Sequence, residues 1–552
     1  MLFKAERRFS QWLFGAKSLL CGLTFACCTG ASIPSASAAQ TVTIRFGPYE
    51  QSIKVADLEE FANTGKLPLS LQALSPVLPK ETRSILQKRL EINPQAVENF
   101  TDELQKTSFG KQFITSLRTA LPGSSIESIQ GAISLALRQV DGLSVVGFLQ
   151  AYPQENITVD ATKAISLAVR FNPERLQSKA FGSLLARELY VNNPTDISQK
   201  FRTFNPASVG NLAVEKQTIT LRDRNRNRTI PVDIYSSRVE QSQQPLVIIS
   251  HGFGASRSSL SYLARHLASY GISVAAIEHP GSNISAINRA ASASDLKNLI
   301  SPQEFINRPK DISFSLNELA KLNSQPGRLQ GKLNTQQASV IGHSLGGYTA
   351  LAVAGGEVNI EKLRKFCNKS LNIASAPADW LKCGAASLSE KKLQLQDPRV
   401  KSAIALNPMV GKLFGDKGLS KINKPVLILT GTDDSLTPAL THQIQPFNQL
   451  GGQKYLLTAI GGTHLSISDD NIPVNSATTI IKERQGIERL PLRKLLQGVS
   501  VAFVKQLAPE AKQYQPYLTS TYAQSFSTPQ IKLRLNSSLP ASIQPWLKLT
   551  NR

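Results

Sequence analysis

Residues 338–347 read "ASVIGHSLGG", an apolar run closed by a serine that stands between glycines, Gly342-x-Ser344-x-Gly346. Alone the pattern is weak, because average glycine and serine usage yields roughly 0.2 chance matches in a chain of this size. Its surroundings decide the reading. From about residue 215 the chain alternates short runs of Val, Ile and Leu with helical periods, the arrangement that builds a mostly parallel sheet covered by helices on both faces. "PLVIIS" (245–250), "ISVAAIEH" (272–279), "ASVIGHS" (338–344), "SAIALN" (402–407), "PVLILTG" (425–431) and "KYLLTAI" (454–460) read as strands. "SSLSYLARHLASYG" (258–271), 311–322 and 345–354 read as helices, and Ser344 stands where a buried strand turns into one of them.

A serine in such a turn projects its oxygen from a tight, strained backbone, and a side chain at either flanking glycine would strike the neighbouring strand or helix. Gly347 and Ala350 let the helix approach the sheet. The turn also sets the Leu345 N–H at the positive end of the helix, where an oxyanion is bound. A serine hydroxyl needs a base near neutral pH. Of the six histidines, His343 points away by turn geometry, and His266 and His442 lie in helical patterns. His464 follows "KYLLTAI" in the glycine-led loop "GGTHLSIS" (461–468) and is the candidate. A carboxylate must orient the imidazole and stabilise its charged form. "GTDDSLTP" (431–438) offers Asp433 and Asp434; the spacing from Gly431 selects Asp434, with Asp433 facing solvent or capping the next helix. The chain order Ser344, Asp434, His464 is the one found on α/β-hydrolase sheets. A second oxyanion donor belongs to the loop after an earlier strand, and in "SHGFGAS" (250–256) it is the Phe253 N–H.

The remainder of the chain divides in three. Residues 1–39 carry Lys4, Arg7, Arg8 and Lys17, a short apolar stretch from Ser18 and the small-residue end "ASAA". That is the pattern of a secretory signal peptide cut after Ala38 or Ala39; the apolar stretch falls short of the ~20 residues of a membrane span. Residues 40–172 open on a hairpin, "TVTIRFGPYEQSIKV", turning at Gly47-Pro48, and continue as helices. In "SSIESIQGAISLALRQV" (124–140), Ile126, Ile129, Ile133, Leu137 and Val140 share a face behind a Ser124-x-x-Glu127 capping box. Similar patterns recur at Leu58–Phe61, Ile85–Leu90, Val97–Leu104 and Ile165–Val169. This small, mostly helical domain holds no His or Cys. Residues 173–214 read as a linker, and 215–552 as the catalytic domain.

Three of the five cysteines leave with the leader; Cys367 and Cys383 remain, and in an exported chain two cysteines favour a disulfide. They lie in an insertion, 357–397, that follows a helix and so starts at the end of the sheet opposite Ser344. The spacing suits neither a zinc nor a redox site, and the chemistry read here needs no metal and no cofactor. Net charge is +23. The leader supplies four basic residues and one acidic, and residues 40–172 carry thirteen of each, which leaves +20 on 173–552. Such a surplus suits solubility or contact with an anionic surface. "RDRNRNR" (222–228) sits between strand-like "KQTITL" and "TIPVDIY" and reads as a polar hairpin turn, not a nucleic-acid module.

Strand-"HGFG", "VAAIEHPGSN", "RPKDISFSLNEL", "IGHSLGG" and "GTDDSLTP…GGTH" together resemble bacterial α/β-hydrolases similar to platelet-activating-factor acetylhydrolases and dienelactone hydrolases, over about 215–470. Residues 40–172 resemble a domain of unknown function that precedes such hydrolases in cyanobacteria. The resemblance implies a Ser344–Asp434–His464 triad with Phe253 and Leu345 as oxyanion donors. Dienelactone hydrolases use a cysteine nucleophile where this chain has Ser344. Plasma-type acetylhydrolases place the acid after the strand matching "SAIALN", where this chain has Asn407, so the acid lies one strand later. Segments 279–310, 408–420 and 465–490 leave the C-terminal strand ends and should shape the pocket, with His279 and Phe253 on its wall. The expectation is an exported, periplasmic or secreted, serine esterase or lipase acting on a small-molecule or lipid ester. Its alternatives are a peptidase or thioesterase with the same triad, and a binding protein on a hydrolase scaffold.

Overall fold

The computed structural model of the chain describes residues 38–46, 49–74, 86, 108–138, 144–161, 163–164, 167, 173–192, 204–237, 243–292, 300–370, 375–469, 483–544 and 547. Most of the leader, the helical patterns at 85–90 and 97–104 apart from Leu86, and Val140 lie outside them. The chain forms two compact units, 1–168 and 169–552.

In the first unit, β1 (Thr41–Phe46) pairs antiparallel with β2 (Tyr49–Lys54), Phe46 opposite Tyr49, as the expected hairpin. A third strand, β3 (Asn156–Asp160), lies parallel to β1, so this unit carries a small sheet as well as helices. In the helix Ile126–Arg138, Ile129, Ile133 and Leu137 are buried. Its cap is one residue later than the sequence suggests: Ser125 Oγ accepts the Ser128 N–H at 3.0 Å, while Ser124 is itself buried.

The second unit is built on a nine-stranded sheet. Its first strands are β4 (Val214–Asp223), β5 (Arg228–Ser237), β6 (Pro245–Ser250), β7 (Val274–Ile277) and β8 (Asn334–His343). β9 (Glu357–Asn359) and β10 (Lys392–Gln394) form a separate pair in the insertion. β11 (Val400–Leu406), β12 (Val426–Gly431), β13 (Lys454–Ile460) and β14 (Lys532–Asn536) complete the sheet, in the order β14-β13-β12-β11-β8-β6-β7-β5-β4. The six central strands are parallel; β14 and β5 flank them antiparallel, and the edge strand β4 pairs antiparallel with β5. Central strands covered on both faces are uniformly apolar, and β6, β7 and β12 are buried at every position. This is the α/β-hydrolase architecture. One face packs the helices Ser261–Ser269 and Leu490–Val504, the other the helices Glu304–Ser324 and Leu345–Val353.

Two expectations change. The stretch 173–214 is not a linker throughout: its helix Pro173–Glu188 sends Phe181 and Leu185 into the core on the second face, and Ser178 Oγ accepts the Leu440 N–H at 3.2 Å. The helix read as 311–322 begins at Glu304 and runs through Pro309. Proline removes an intrahelical donor; the carbonyl left without it, that of Phe305, accepts the Tyr348 hydroxyl at 2.7 Å.

Candidate active site

Ser344 follows β8 directly with φ 55° and ψ −115°, a left-handed backbone that a non-glycine residue adopts only under strain. The neighbouring glycines are required by contact. A Cβ on Gly342 would lie 1.9 Å from the Gly346 carbonyl oxygen, one on Gly346 would lie 2.0 Å from that of Ser250, and one on Gly347 would lie 2.6 Å from Pro408 Cβ. Ser344 is locked at both backbone groups: its N–H donates to Leu406 and its carbonyl accepts from Met409, at 2.9 and 3.0 Å. Leu345 is the first residue of the following helix, so its N–H has no intrahelical acceptor. The loop after β6 passes directly beside the serine, for a Cβ on Gly252 would sit 3.3 Å from Ser344 Cβ. Phe253 follows in that loop and packs against the core.

His464 and Asp434 meet at the ends of β13 and β12. His464 Nδ1 lies 2.8 Å from Asp434 Oδ2. Because the carboxylate only accepts, Nδ1 carries the proton and Nε2 is left as the basic nitrogen. Asp434 gathers five donors. Oδ2 accepts from His464, from Asn407 Nδ2 at 2.8 Å and from Thr437 Oγ1 at 2.7 Å. Oδ1 accepts the backbone N–H groups of Leu436 and Thr437 at 2.9 and 2.8 Å. Burial pushes this carboxyl up, but the His464 charge and these hydrogen bonds outweigh it and hold it below its ordinary range. For His464, burial pulls the imidazole down, yet the charge and hydrogen bond of Asp434, with the charge of Glu483 added, leave it raised. Asp433 is turned away and only partly buried; its N–H donates to the Gly462 carbonyl at 2.9 Å.

Three supporting residues escaped the sequence reading. His343 packs into the site: its ring lies 4.7 Å from that of His464 and its Nε2 donates to the His464 carbonyl at 3.1 Å. Burial and the His464 charge push it down to about 3, so it is neutral. Thr437, three residues beyond Asp434 in "DSLTP", lies 3.2 Å from His464 Nδ1. Asn407, the residue after β11, donates its amide to Asp434.

His279 is not on a pocket wall. It is fully buried, its Nδ1 3.0 Å from Asp311 Oδ2 and its Nε2 2.9 Å from Ser250 Oγ. Both ring nitrogens are therefore committed to the protein. Arg226 and Arg228 of the "RDRNRNR" turn bind inward as well, to Asp311 and to Asp311 with Glu304 respectively. Cys367 and Cys383 form a disulfide, Cα to Cα 5.8 Å. It ties the helix Ile360–Lys369 to the helix Pro377–Cys383. The Ala378 N–H donates to Leu436 in the Asp434 loop at 3.1 Å. The insertion that starts at the far end of the sheet thus returns to the end that carries the site. Among the described residues no group of three or more His, Cys, Asp or Glu is placed to hold a metal ion.

Comparison with known proteins agrees with this architecture. Residues 38–160 match the family described as alpha/beta hydrolase of unknown function (DUF1400), and residues 217–306 match the family described as platelet-activating factor acetylhydrolase, isoform II. The chain is 31% identical over 134 residues to a platelet-activating factor acetylhydrolase of Cavia porcellus, covering 19% of this chain and 31% of that protein. It is 27% identical over 181 residues to one of Canis lupus familiaris, covering 27% of this chain and 40% of that protein. The chain thus matches less than half the length of these relatives. It is an α/β-hydrolase in fold, and within that class it resembles the platelet-activating factor acetylhydrolases.

Proposed function

We propose that the protein is an exported serine hydrolase that cleaves carboxylic esters through an acyl-enzyme. One observation carries the reading: a protonated-Nδ1 histidine, held at 2.8 Å by a five-fold hydrogen-bonded aspartate, stands at the same edge of the sheet as a serine on a strained strand-to-helix turn. Ser344 Oγ attacks the ester carbonyl as its proton passes to His464 Nε2, and the charge of the new imidazolium faces Asp434. The carbonyl oxygen becomes an oxyanion, met by the N–H groups of Leu345 and Phe253. Collapse breaks the ester bond, and the proton returns from Nε2 to the leaving alkoxide. Water, deprotonated by the same nitrogen, then releases the acid and restores Ser344.

The names of the relatives point to acyl esters of phospholipid type. The surplus of +20 on residues 173–552 supports approach to an anionic lipid surface. The Cys367–Cys383 disulfide and the leader pattern support export to an oxidising compartment. A fluorophosphonate probe followed by an ester panel of graded chain length tests the reading. Labelling must map to the peptide carrying "GHSLGG", and turnover on anionic vesicles must exceed that on neutral ones at low salt and lose the advantage as salt rises. A peptidase or thioesterase would show its preference on amide or thioester members of the panel; a binding protein would neither label nor turn over.

A further inference from the structure

Phe253 can serve as an oxyanion donor only if its N–H keeps a fixed place beside Ser344, yet β6 ends at Ser250. The loop beyond it is held by Arg308, a guanidinium buried completely in the helix Glu304–Ser324. Its Nη2 donates to the His251 carbonyl and, at 3.1 Å, to Ser250 Oγ. Its Nη1 donates to Ser282 Oγ at 2.7 Å, and its Nε to Thr349 Oγ1 on the elbow helix at 3.2 Å. The Ser282 carbonyl in turn accepts the Gly254 N–H at 2.9 Å. Both sides of Phe253 are therefore fixed, His251 by the guanidinium directly and Gly254 through Ser282.

The partners around this clamp have one consistent proton arrangement. Asp311 only accepts, so His279 Nδ1 is protonated and its Nε2 accepts the Ser250 hydroxyl proton. That leaves the Ser250 oxygen as acceptor for Arg308. The His279 N–H donates to His251 Nε2 at 3.0 Å, so the His251 proton sits on Nδ1 and reaches the Gly252 carbonyl at 2.7 Å. Burial, followed by the charge of Arg308, drives both imidazoles well below the ordinary value, which keeps them neutral. Among the described residues Arg308 makes no ion pair; Glu304 and Asp311 supply its counter-charge while their oxygens bind Arg228 and Arg226. Burial pulls its pKa down only to about 10, so the guanidinium stays charged near neutrality. A buried cation costs several kcal/mol to desolvate. A planar fork is the group that can satisfy a carbonyl and three hydroxyls on three separate elements at once.

We propose that Arg308 is a positioning residue for the ester hydrolysis described above: it clamps loop 250–254 to the elbow helix and so presents the Phe253 N–H to the oxyanion. The inference rests on that functional reading. The test uses Arg308→Gln, Arg308→Lys and the milder Ser282→Ala in the full chain, with kcat and KM on one soluble ester, thermal stability, and hydrogen exchange of segment 250–256. Loss of one oxyanion donor costs about 10²–10³-fold in kcat. Arg308→Gln should approach that loss with KM within about threefold, and Arg308→Lys should stay at least about tenfold down because the ammonium lacks the fork. Ser282→Ala should lower kcat about tenfold, and all three should raise exchange at 250–256 above the rest of the sheet. Wild-type kcat in a folded Arg308→Gln variant, or a fall in kcat/KM carried by KM alone, overturns the proposal. If neither Arg308 variant folds, Ser282→Ala decides, and wild-type kcat with unchanged exchange there overturns it. If the wild type turns over no ester, the functional reading has failed, and unaltered exchange at 250–256 in these variants would separately refute the clamp.

Discussion

The Asn407 amide donates to the Asp434 carboxylate at 2.8 Å, so the residue just after β11 touches the carboxylate in the loop after β12. Every group that faces Asp434 is a donor: His464, Asn407, Thr437 Oγ1 and two backbone N–H groups. Asp434→Asn sets an NH2 group among these donors; it meets His464 Nδ1 as an acceptor only when the ring proton moves to Nε2, the wrong tautomer for a base. Turnover should fall by about 10⁴, and the melting temperature should drop as well. Adding Asn407→Asp gives the new amide an acceptor, which should restore the melting temperature while turnover stays low. Recovery of turnover to within tenfold of wild type would instead show that position 407 can hold the acid. Asp433→Asn should leave turnover within about threefold, since that side chain is away from the imidazole.

The pH profile follows from the raised pKa of His464. Asp434 favours the protonated ring, so its stabilising effect is complete below the ordinary value near 6.5 and fades as pH rises through the higher folded value. The base, however, must be neutral. The acid limb of kcat/KM should therefore lie above pH 6.5, and Asp434→Asn should move it to lower pH as it lowers the plateau. A limb below the ordinary histidine value in the wild type would mean that His464 is not the titrating base.

Ser344 carries its oxygen at the cost of a left-handed backbone. Ser344→Ala should remove hydrolysis, leaving less than a thousandth of the wild-type rate, with unchanged stability, because alanine inherits the same φ. Ser344→Gly should be equally inactive yet more stable, up to the roughly 1–3 kcal/mol held in such a conformation. Thermal unfolding of the two variants side by side checks this, and equal melting temperatures would mean that the turn stores no strain.

Much of this site was legible because its chemistry sits on strand ends. Uniform Val, Ile and Leu runs identify buried parallel strands, and each candidate residue stands at or just beyond the end of one, Ser344 directly after "ASVIGH", Asp434 in the loop after "VLILTG" and His464 in the loop after "KYLLTAI". The paired edge was legible too, since "KQTITL" and "TIPVDIY" alternate around a turn. Long-range pairing was not. β3 joins β1 across more than a hundred residues, and β14, "KLRLN", has no pattern that separates it from a polar loop. His279 looks like any histidine at a strand end until Asp311 and Ser250 close on both its nitrogens. The role of Arg308 depends on Ser282, His251 and Thr349 converging from separate elements, and nothing in "RPKDISFSLNEL" announces that.

The Cys367–Cys383 disulfide closes a loop with a separation of 16 residues. Closing a loop of that size constrains the unfolded chain by about 3 kcal/mol. Its second cysteine ends the helix whose Ala378 N–H holds the Asp434 loop. The double variant Cys367→Ser/Cys383→Ser should lower the melting temperature, and its turnover should fall earlier on warming than wild-type turnover does. An unchanged melting temperature would show that the helix is held without the bridge.

Where the hydrolase unit begins is decided by the helix Pro173–Glu188. Phe181 and Leu185, with Leu189 just beyond the helix, are buried in the core on one face of the sheet, and Ser178 caps the Leu440 N–H. A Cβ on Gly182 would lie 3.0 Å from Thr432 Oγ1, so the helix rests on the strand end that leads to Asp434. Burying each large apolar side chain contributes about 1.5–3 kcal/mol. A chain starting at 205 loses all three and exposes the groove they fill, whereas one starting at 169 keeps the compact unit whole. The 169–552 chain should fold with a cooperative melt and keep wild-type turnover on small soluble esters, because residues 40–168 bring no histidine or cysteine to the chemistry. The 205–552 chain should aggregate or melt well below it. If 169–552 folds and yet turns over no soluble ester that the full chain hydrolyses, residues 40–168 take part in building the site; if 205–552 matches it in stability, the helix is an ornament on the core and the boundary lies where the sequence first suggested.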